Sequence, residues 1–208
     1  MGKDLLFRII ILLLLISGLG LKAQHRSQEI PEYNYGISYR PSLQIKHNIL
    51  QDIALAVNLS LEYSLTQKLS IEIPIAYNGW DLAKDKKMRQ FLVQPELRYW
   101  IDETFNGHFF GVHPHVGIFN MAGLPFAELK EYRTQGNIYG IGLSWGYQYW
   151  LGKRWAMETT VGIGYAHMDY TRYINHSDGA KYGQKYNNGT YNYIGPTKAG
   201  LSIIYILK

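Results

Sequence analysis

Nine polar side chains recur at alternate positions within otherwise apolar stretches: Glu62, Glu72, Glu96, Arg98, His113, His115, Gln148, Glu158 and Lys198. A period of two places such residues on one face of a β-strand. Gathered inside a fold, they could form a charge network, a path for protons or ions, or a carboxylate pair acting as acid and base. The network is the favoured reading, with Arg98 and Lys198 pairing with the carboxylates, because an unpaired charge in a narrow interior is costly. His113 and His115 stand two apart on one strand and point the same way, as two metal ligands would. With no evident third ligand they do not specify a metal site.

A second group, His167, Asp169, His176, Ser177 and Asp178, has the residue types of a hydrolase or acyl-transfer site near a loop. Its spacing singles out no nucleophile and base, and loop polarity accounts for it equally well. The chain has no cysteine, which excludes disulfides, thiol catalysis and thiolate metal sites. Gly140-Ile141-Gly142 and Gly162-Ile163-Gly164 fall inside strands, not at the strand-to-helix turn a phosphate loop needs. No catalytic residue, metal or cofactor is assigned.

The elements that must position these residues are strands. Leu55, Val57, Leu59, Leu61 and Tyr63 alternate with Ala56, Asn58, Ser60 and Glu62; Leu69, Ile71, Ile73, Ile75 and Tyr77 alternate with Ser70, Glu72, Pro74 and Ala76. The pattern recurs over Phe91 to Tyr99, Phe110 to Ile118, Tyr139 to Tyr149, Trp155 to Ala166 and, less cleanly, Lys198 to Tyr205. One face is large and apolar, the other small or polar. A soluble sandwich would bury the bulky face and carry charge on the other, whereas a narrow membrane barrel turns the bulky face to lipid and keeps small and polar groups inside. A secreted soluble barrel holding a ligand is the alternative, and it requires the bulky face to point inward.

Connections around Thr66-Gln67-Lys68, Asp102 to Gly107 and Gly152-Lys153-Arg154 are short. Those near Gly79 to Arg89, Met121 to Gln135 and Tyr173 to Gly189 are long and polar, as in outer-membrane barrels with short periplasmic turns and long external loops. Parity requires one more strand before Leu55. Leu43 to Gln51 is preferred to Tyr33 to Arg40. Trp100, Phe105, Trp150 and Trp155 are expected to form an aromatic girdle at the short-turn end, and Tyr77, Trp80, Tyr139 and Tyr170 another at the long-loop end.

Residues 1–23 read as a signal peptide: Lys3 and Arg8 precede the apolar run Ile9 to Ile16, and small residues lead to a cleavage position after Ala23. Residues 24–42 form an N-terminal segment and 43–208 the barrel domain. The formal charge of +5 is scattered along the chain and does not point to nucleic acid.

The runs Phe91-Leu92-Val93-Gln94-Pro95-Glu96-Leu97-Arg98-Tyr99-Trp100, Phe105-Asn106-Gly107-His108-Phe109-Phe110-Gly111, Gly146 to Trp155 and Gly195-Pro196-Thr197-Lys198-Ala199-Gly200 resemble the domain-of-unknown-function family 3575 of Bacteroidota, DUF3575. The resemblance runs from about Ile45 to the C-terminus. It implies an outer-membrane barrel and carries over no catalytic or binding residue. The C-terminal Tyr205-Ile206-Leu207-Lys208 departs from the terminal aromatic usual for such barrels.

The expectation is therefore an all-β protein, an eight-stranded antiparallel up-and-down transmembrane β-barrel of the bacterial outer membrane. Its role would be non-enzymatic: structural, adhesive or accessory to surface assembly. The expected partners are outer-membrane lipid and, through the loops, an extracellular glycan or protein, with the barrel monomeric. The basic stretch Ala83 to Arg89 and the Tyr-, Asn- and Gly-rich Lys181 to Asn192 are the loop candidates. A membrane-embedded lipid-modifying enzyme and a narrow ion channel are the alternatives.

Overall fold

The alternation is realised as strand along most of the chain. The computed structural model describes residues 41–53, 55–83, 86–122, 132–174 and 185–207. The expected leader, nearly all of segment 24–42, and His176, Ser177 and Asp178 lie outside them. The strands are β1 (Leu43–Asn48), β2 (Val57–Ser64), β3 (Leu69–Ala83), β4 (Lys86–Val93), β5 (Glu96–Trp100), β6 (Gly107–Ala122), β7 (Tyr132–Trp150), β8 (Trp155–Ile174) and β9 (Lys185–Ile206). One short helix, α1 (Ile49–Ile53), connects β1 to β2.

Neighbouring strands are antiparallel, and β1 pairs with both β2 and β9, which closes the sheet. β4 and β5 are two parts of one wall strand, because β3 and β6 each pair with both. The interruption falls at Gln94-Pro95, where proline brings no N–H to the ladder. The molecule is thus a closed eight-stranded antiparallel barrel.

Its faces are sorted inside out. Outward side chains are large and apolar, with Leu143 65% exposed, Val57 62% and Ile163 61%, while the intervening positions are buried and polar. This is the reverse of a soluble ligand-holding barrel. The interior is filled by side chains, as expected for eight strands, and the glycines of the wall make room for them. Gly140 and Gly142 lie against the rings of His115 and His113, and Gly146 lies under Phe109.

The short turns fall at the expected places. In one of them Phe105 (φ 69°) and Gly107 (φ 78°) both take left-handed backbone, which costs glycine little and Phe105 more. Four expectations are corrected. The first strand begins at Leu43 as expected but stops at Asn48, since the consecutive apolar residues Ile49 and Leu50 break the alternation and begin α1. The next strand begins at Val57 and not at Leu55, whose positive φ of 57° ends the helical turn.

Of the presumed long loops, the one near Gly79 to Arg89 is mostly strand, and the described ends of the other two are strand. β3 and β4 pair as far as Ala83 and Lys86, and β7, β8 and β9 continue to Tyr132, Ile174 and Lys185. Polar residues do not prevent pairing where both faces of a sheet meet water. Finally, Trp100 and Phe105 do not join the short-turn girdle. Both are fully buried, because Trp100 follows outward-facing Tyr99 and so points into the lumen.

The lumen network and the outer rim

The floor of the lumen is an aromatic plug. Trp100 packs edge-on against Phe105, with centroids 6.0 Å apart, and tilted against Phe109 at 4.8 Å. Its indole N–H donates to Ser70 Oγ at 2.8 Å. Ala156, Ile204 and Ile206, with Trp150 against them, fill the same end from β7, β8 and β9.

Above the plug lies an ionic layer centred on Arg98, whose guanidinium covers the Phe109 ring at 4.1 Å. Arg98 reaches four carboxylates: Glu62 at 3.0 Å, Glu96 at 2.9 Å, Glu158 at 2.9 Å, and Glu72. Lys46 pairs with Glu62 and Glu158, and Lys198 with Glu72 at 3.2 Å and with Glu96.

Each carboxylate also accepts one hydroxyl. Ser70 donates to Glu62, Ser60 to Glu72 at 2.7 Å, Ser144 to Glu96 at 2.8 Å and Thr160 to Glu158 at 2.7 Å. Gln44 and Gln148 exchange amide hydrogen bonds at 3.1 and 3.2 Å, and Gln44 donates to Glu62 at 2.9 Å. Buried ions are tolerated only when paired and with their remaining lone pairs satisfied, and here both conditions hold.

All nine residues named from the sequence project into the lumen, but in two groups. Seven join the network: Glu62, Glu72, Glu96, Arg98, Gln148, Glu158 and Lys198. His113 and His115 stand beside it with ring centroids 5.9 Å apart. His113 Nε2 shares a hydrogen bond with Thr197 Oγ1 at 3.1 Å, and its Nδ1 is 4.0 Å from Glu96, beyond hydrogen-bond reach. Among the described residues no three His, Cys, Asp or Glu side chains are grouped as a metal ion would require.

Lys46 and Gln44, both at most 2% exposed, and the four hydroxyls that cap the carboxylates join the network beyond the nine residues expected from the sequence. Parity would have found Lys46 and Gln44, since Leu43 and Ile45 take the outward positions of β1.

At the opposite end β3, β4 and β6 to β9 continue past β1 and β2 as a sheet extension. Outward-facing His167 is held there by Asn192 at 2.6 Å and Asp169 at 3.3 Å, and it stacks on Tyr139 at 5.7 Å. Both ring nitrogens therefore have partners, and Asn192 also accepts from Tyr165 Oη at 2.8 Å. Beyond this cluster is an open depression of about 680 Å³, lined mostly by residues of the same outward parity, among them Asn120, Asn137, Asp169, Thr171, Asn188 and Thr190. Arg133 donates to Asn120 at 2.9 Å along its border.

The fold and lumen thus define a closed antiparallel barrel with apolar side chains outside and a buried core in which three cations meet four carboxylates. A family model described as protein of unknown function (DUF3575) matches residues 9–207, and the chain belongs to that family. The match begins well before Ile45, where the sequence resemblance was placed. No curated protein and no solved structure matches the chain.

Proposed function

We propose that this protein is a bacterial outer-membrane barrel that acts without catalysis, as a structural, adhesive or surface-assembly component, with its specificity carried at the long-strand end. The observation that carries the reading is the belt of exposed apolar side chains on successive strands, from Leu61 and Ile73 through Leu97, Val116 and Leu143 to Ile163, set over a filled polar lumen. In water such a surface would drive association, and in lipid it is matched. The barrel's neighbours are then outer-membrane lipid around the belt and an extracellular glycan or protein at the rim. No role with nucleic acid is proposed, and the barrel is a monomer.

The depression above His167 suits a glycan or a polar protein surface, because its amides and hydroxyls both donate and accept hydrogen bonds and can adapt to a partner's groups. Two observations support a non-catalytic, non-conducting role. His167 has both nitrogens engaged by Asn192 and Asp169, and the aromatic plug with the ionic layer fills the lumen. The test is membrane fractionation joined to a gel-shift assay. The expected result is recovery in the outer membrane with faster migration of the unboiled protein. Recovery in the soluble periplasm, with boiling making no difference, would overturn it. Single-channel steps in planar bilayers, or altered lipid composition abolished by His167→Ala, would replace it by the channel or the enzyme.

A further inference from the structure

The outer face of the barrel changes chemistry along its long strands. Outward positions on β7 pass from Ile141 through Tyr139 to Asn137, and those on β9 from Ile194 through Asn192 to Thr190. On β8 Tyr165 and His167 separate Ile163 from Asp169. The aliphatic part is bare, with Ile194 80%, Ile163 61% and Ile141 56% exposed. Tyrosines gather where hydrocarbon gives way to headgroups, and here Tyr139, stacked on His167, and Tyr165, bonded to Asn192, mark that level. Asn137, Asp169 and Thr190 stand one or two outward positions above it, each a step of roughly 7 Å along the strand. These three line the depression of about 680 Å³. Sharing the parity of the isoleucines, they place it on the outside of the wall, at headgroup height, and not in the barrel mouth.

The lining is almost uncharged. A lower rung of Asn137, Asp169 and Thr190 faces an upper rung of Gln135, Thr171 and Asn188. Amide and hydroxyl side chains both donate and accept, as the hydroxyls of a sugar do. Asp169 is the only charged residue among them, half exposed and held through one oxygen by His167 at 3.3 Å. Arg133 on the border is engaged by Asn120 and Gln135. A phosphate only accepts, and it would meet the Asp169 carboxylate with no cation in the lining to offset the repulsion. An uncharged sugar finds a partner for each sense of its hydroxyls, in a volume within the span of small-molecule sites, roughly 300–1,000 Å³.

We infer that the depression receives the uncharged sugar headgroup of a glycolipid in the surrounding leaflet, whose acyl chains lie below it on Ile194, Ile163 and Ile141. This rests on the membrane reading above and narrows the partner at the rim to a glycan carried by the membrane itself. Position chooses the lipid: sugar site and aliphatic belt share one outer face, in the order in which a bilayer stacks headgroup over chain. A free glycan would gain hydrogen bonds only in exchange for those of water, and nothing from the isoleucines.

The test uses the barrel extracted in a polyoxyethylene detergent, which brings no sugar of its own. It is incubated with diglucosyl dioleoylglycerol, dioleoylglycerol, dioleoyl phosphatidylglycerol or free maltose and weighed by native mass spectrometry. The expected result is one retained diglucosyl lipid, at least tenfold over either other lipid and over maltose at equal concentration. Asn137→Ala combined with Asp169→Ala, which removes hydrogen-bonding groups, and Thr190→Trp, which fills the depression, should each lower retention at least tenfold while the unboiled gel shift persists. Equal retention of a lipid without sugar, equal retention of maltose, equal retention by wild type and variants, or no retention by a wild type that still shows the gel shift overturns the site. A wild-type protein that is soluble and shows no shift overturns the membrane reading instead.

Discussion

Toward the short-turn end, the four lumen carboxylates are at most 4% exposed and each meets cations and a hydroxyl; at the long-strand end Asn137, Asn188 and Thr190 stand in solvent around an open depression. Both regions are polar, but their polar groups carry different loads. In the lumen each group is answered by another, so removing one strands its partners in a low-dielectric interior. At the rim water takes the place of any lost partner, and the side chains are free to meet something else.

The sharpest way to break this contrast is Arg98→Met. It leaves the carboxylates short of their central cation, and the expected loss is about 3–5 kcal/mol or more, the range for a buried ion deprived of its partner. Urea titration of the detergent-refolded barrel should show it, or no folded band should form at all. Trp100→Ala opens the plug and should cost about 3–5 kcal/mol in the same titration, as large-to-small changes in cores do.

Smaller effects sharpen the comparison. Gln148→Leu leaves the Gln44 amide half satisfied and should cost about 1–3 kcal/mol, and adding Gln44→Leu should not restore the loss, because it also takes from buried Glu62 the Gln44 donor. A double variant more stable than the single would show that Glu62 does not need that donor. The smallest effect belongs to the rim: Asn137→Ala and Thr190→Ala should each shift stability by no more than about 0.5 kcal/mol, the range for exposed substitutions. A large loss there would mean that the rim is built as tightly as the lumen.

The lumen was legible to the extent that parity reaches. Glu62, Glu72, Glu96 and Arg98 each sit between outward apolar residues, Glu158 sits between Met157 and Thr159, and a two-residue period fixes their side of the wall. Which partner each would take was not legible, because it depends on the stagger of strands once the sheet closes. That stagger brings Glu158 of β8 to Lys46 of β1, far apart in the chain. Trp100 shows a different failure. Its parity pointed inward, but the tendency of tryptophan to gather at membrane interfaces suggested a girdle, and the local period prevailed. The extended rim was not legible because polar residues read as loop, although they also pair as strand, as Asp81 with Lys87 and Asn137 with Asp169 do. The end of β1 at Asn48 could not be seen in full either, since there the Asn48 and Asn58 side chains take the place of backbone partners.

One consequence of the ionic layer concerns how the barrel comes together. The carboxylates ride on β2, β3, β5 and β8, and Arg98 travels with β5, but Lys46 and Lys198 stand on β1 and β9, the first and last strands, whose pairing closes the circle. A sheet that has zipped from β2 to β8 holds four negative charges and one positive. The pairing of β1 with β9 therefore brings two lysines to carboxylates that would otherwise share Arg98 alone, and the net charge of the layer falls from three negative to one.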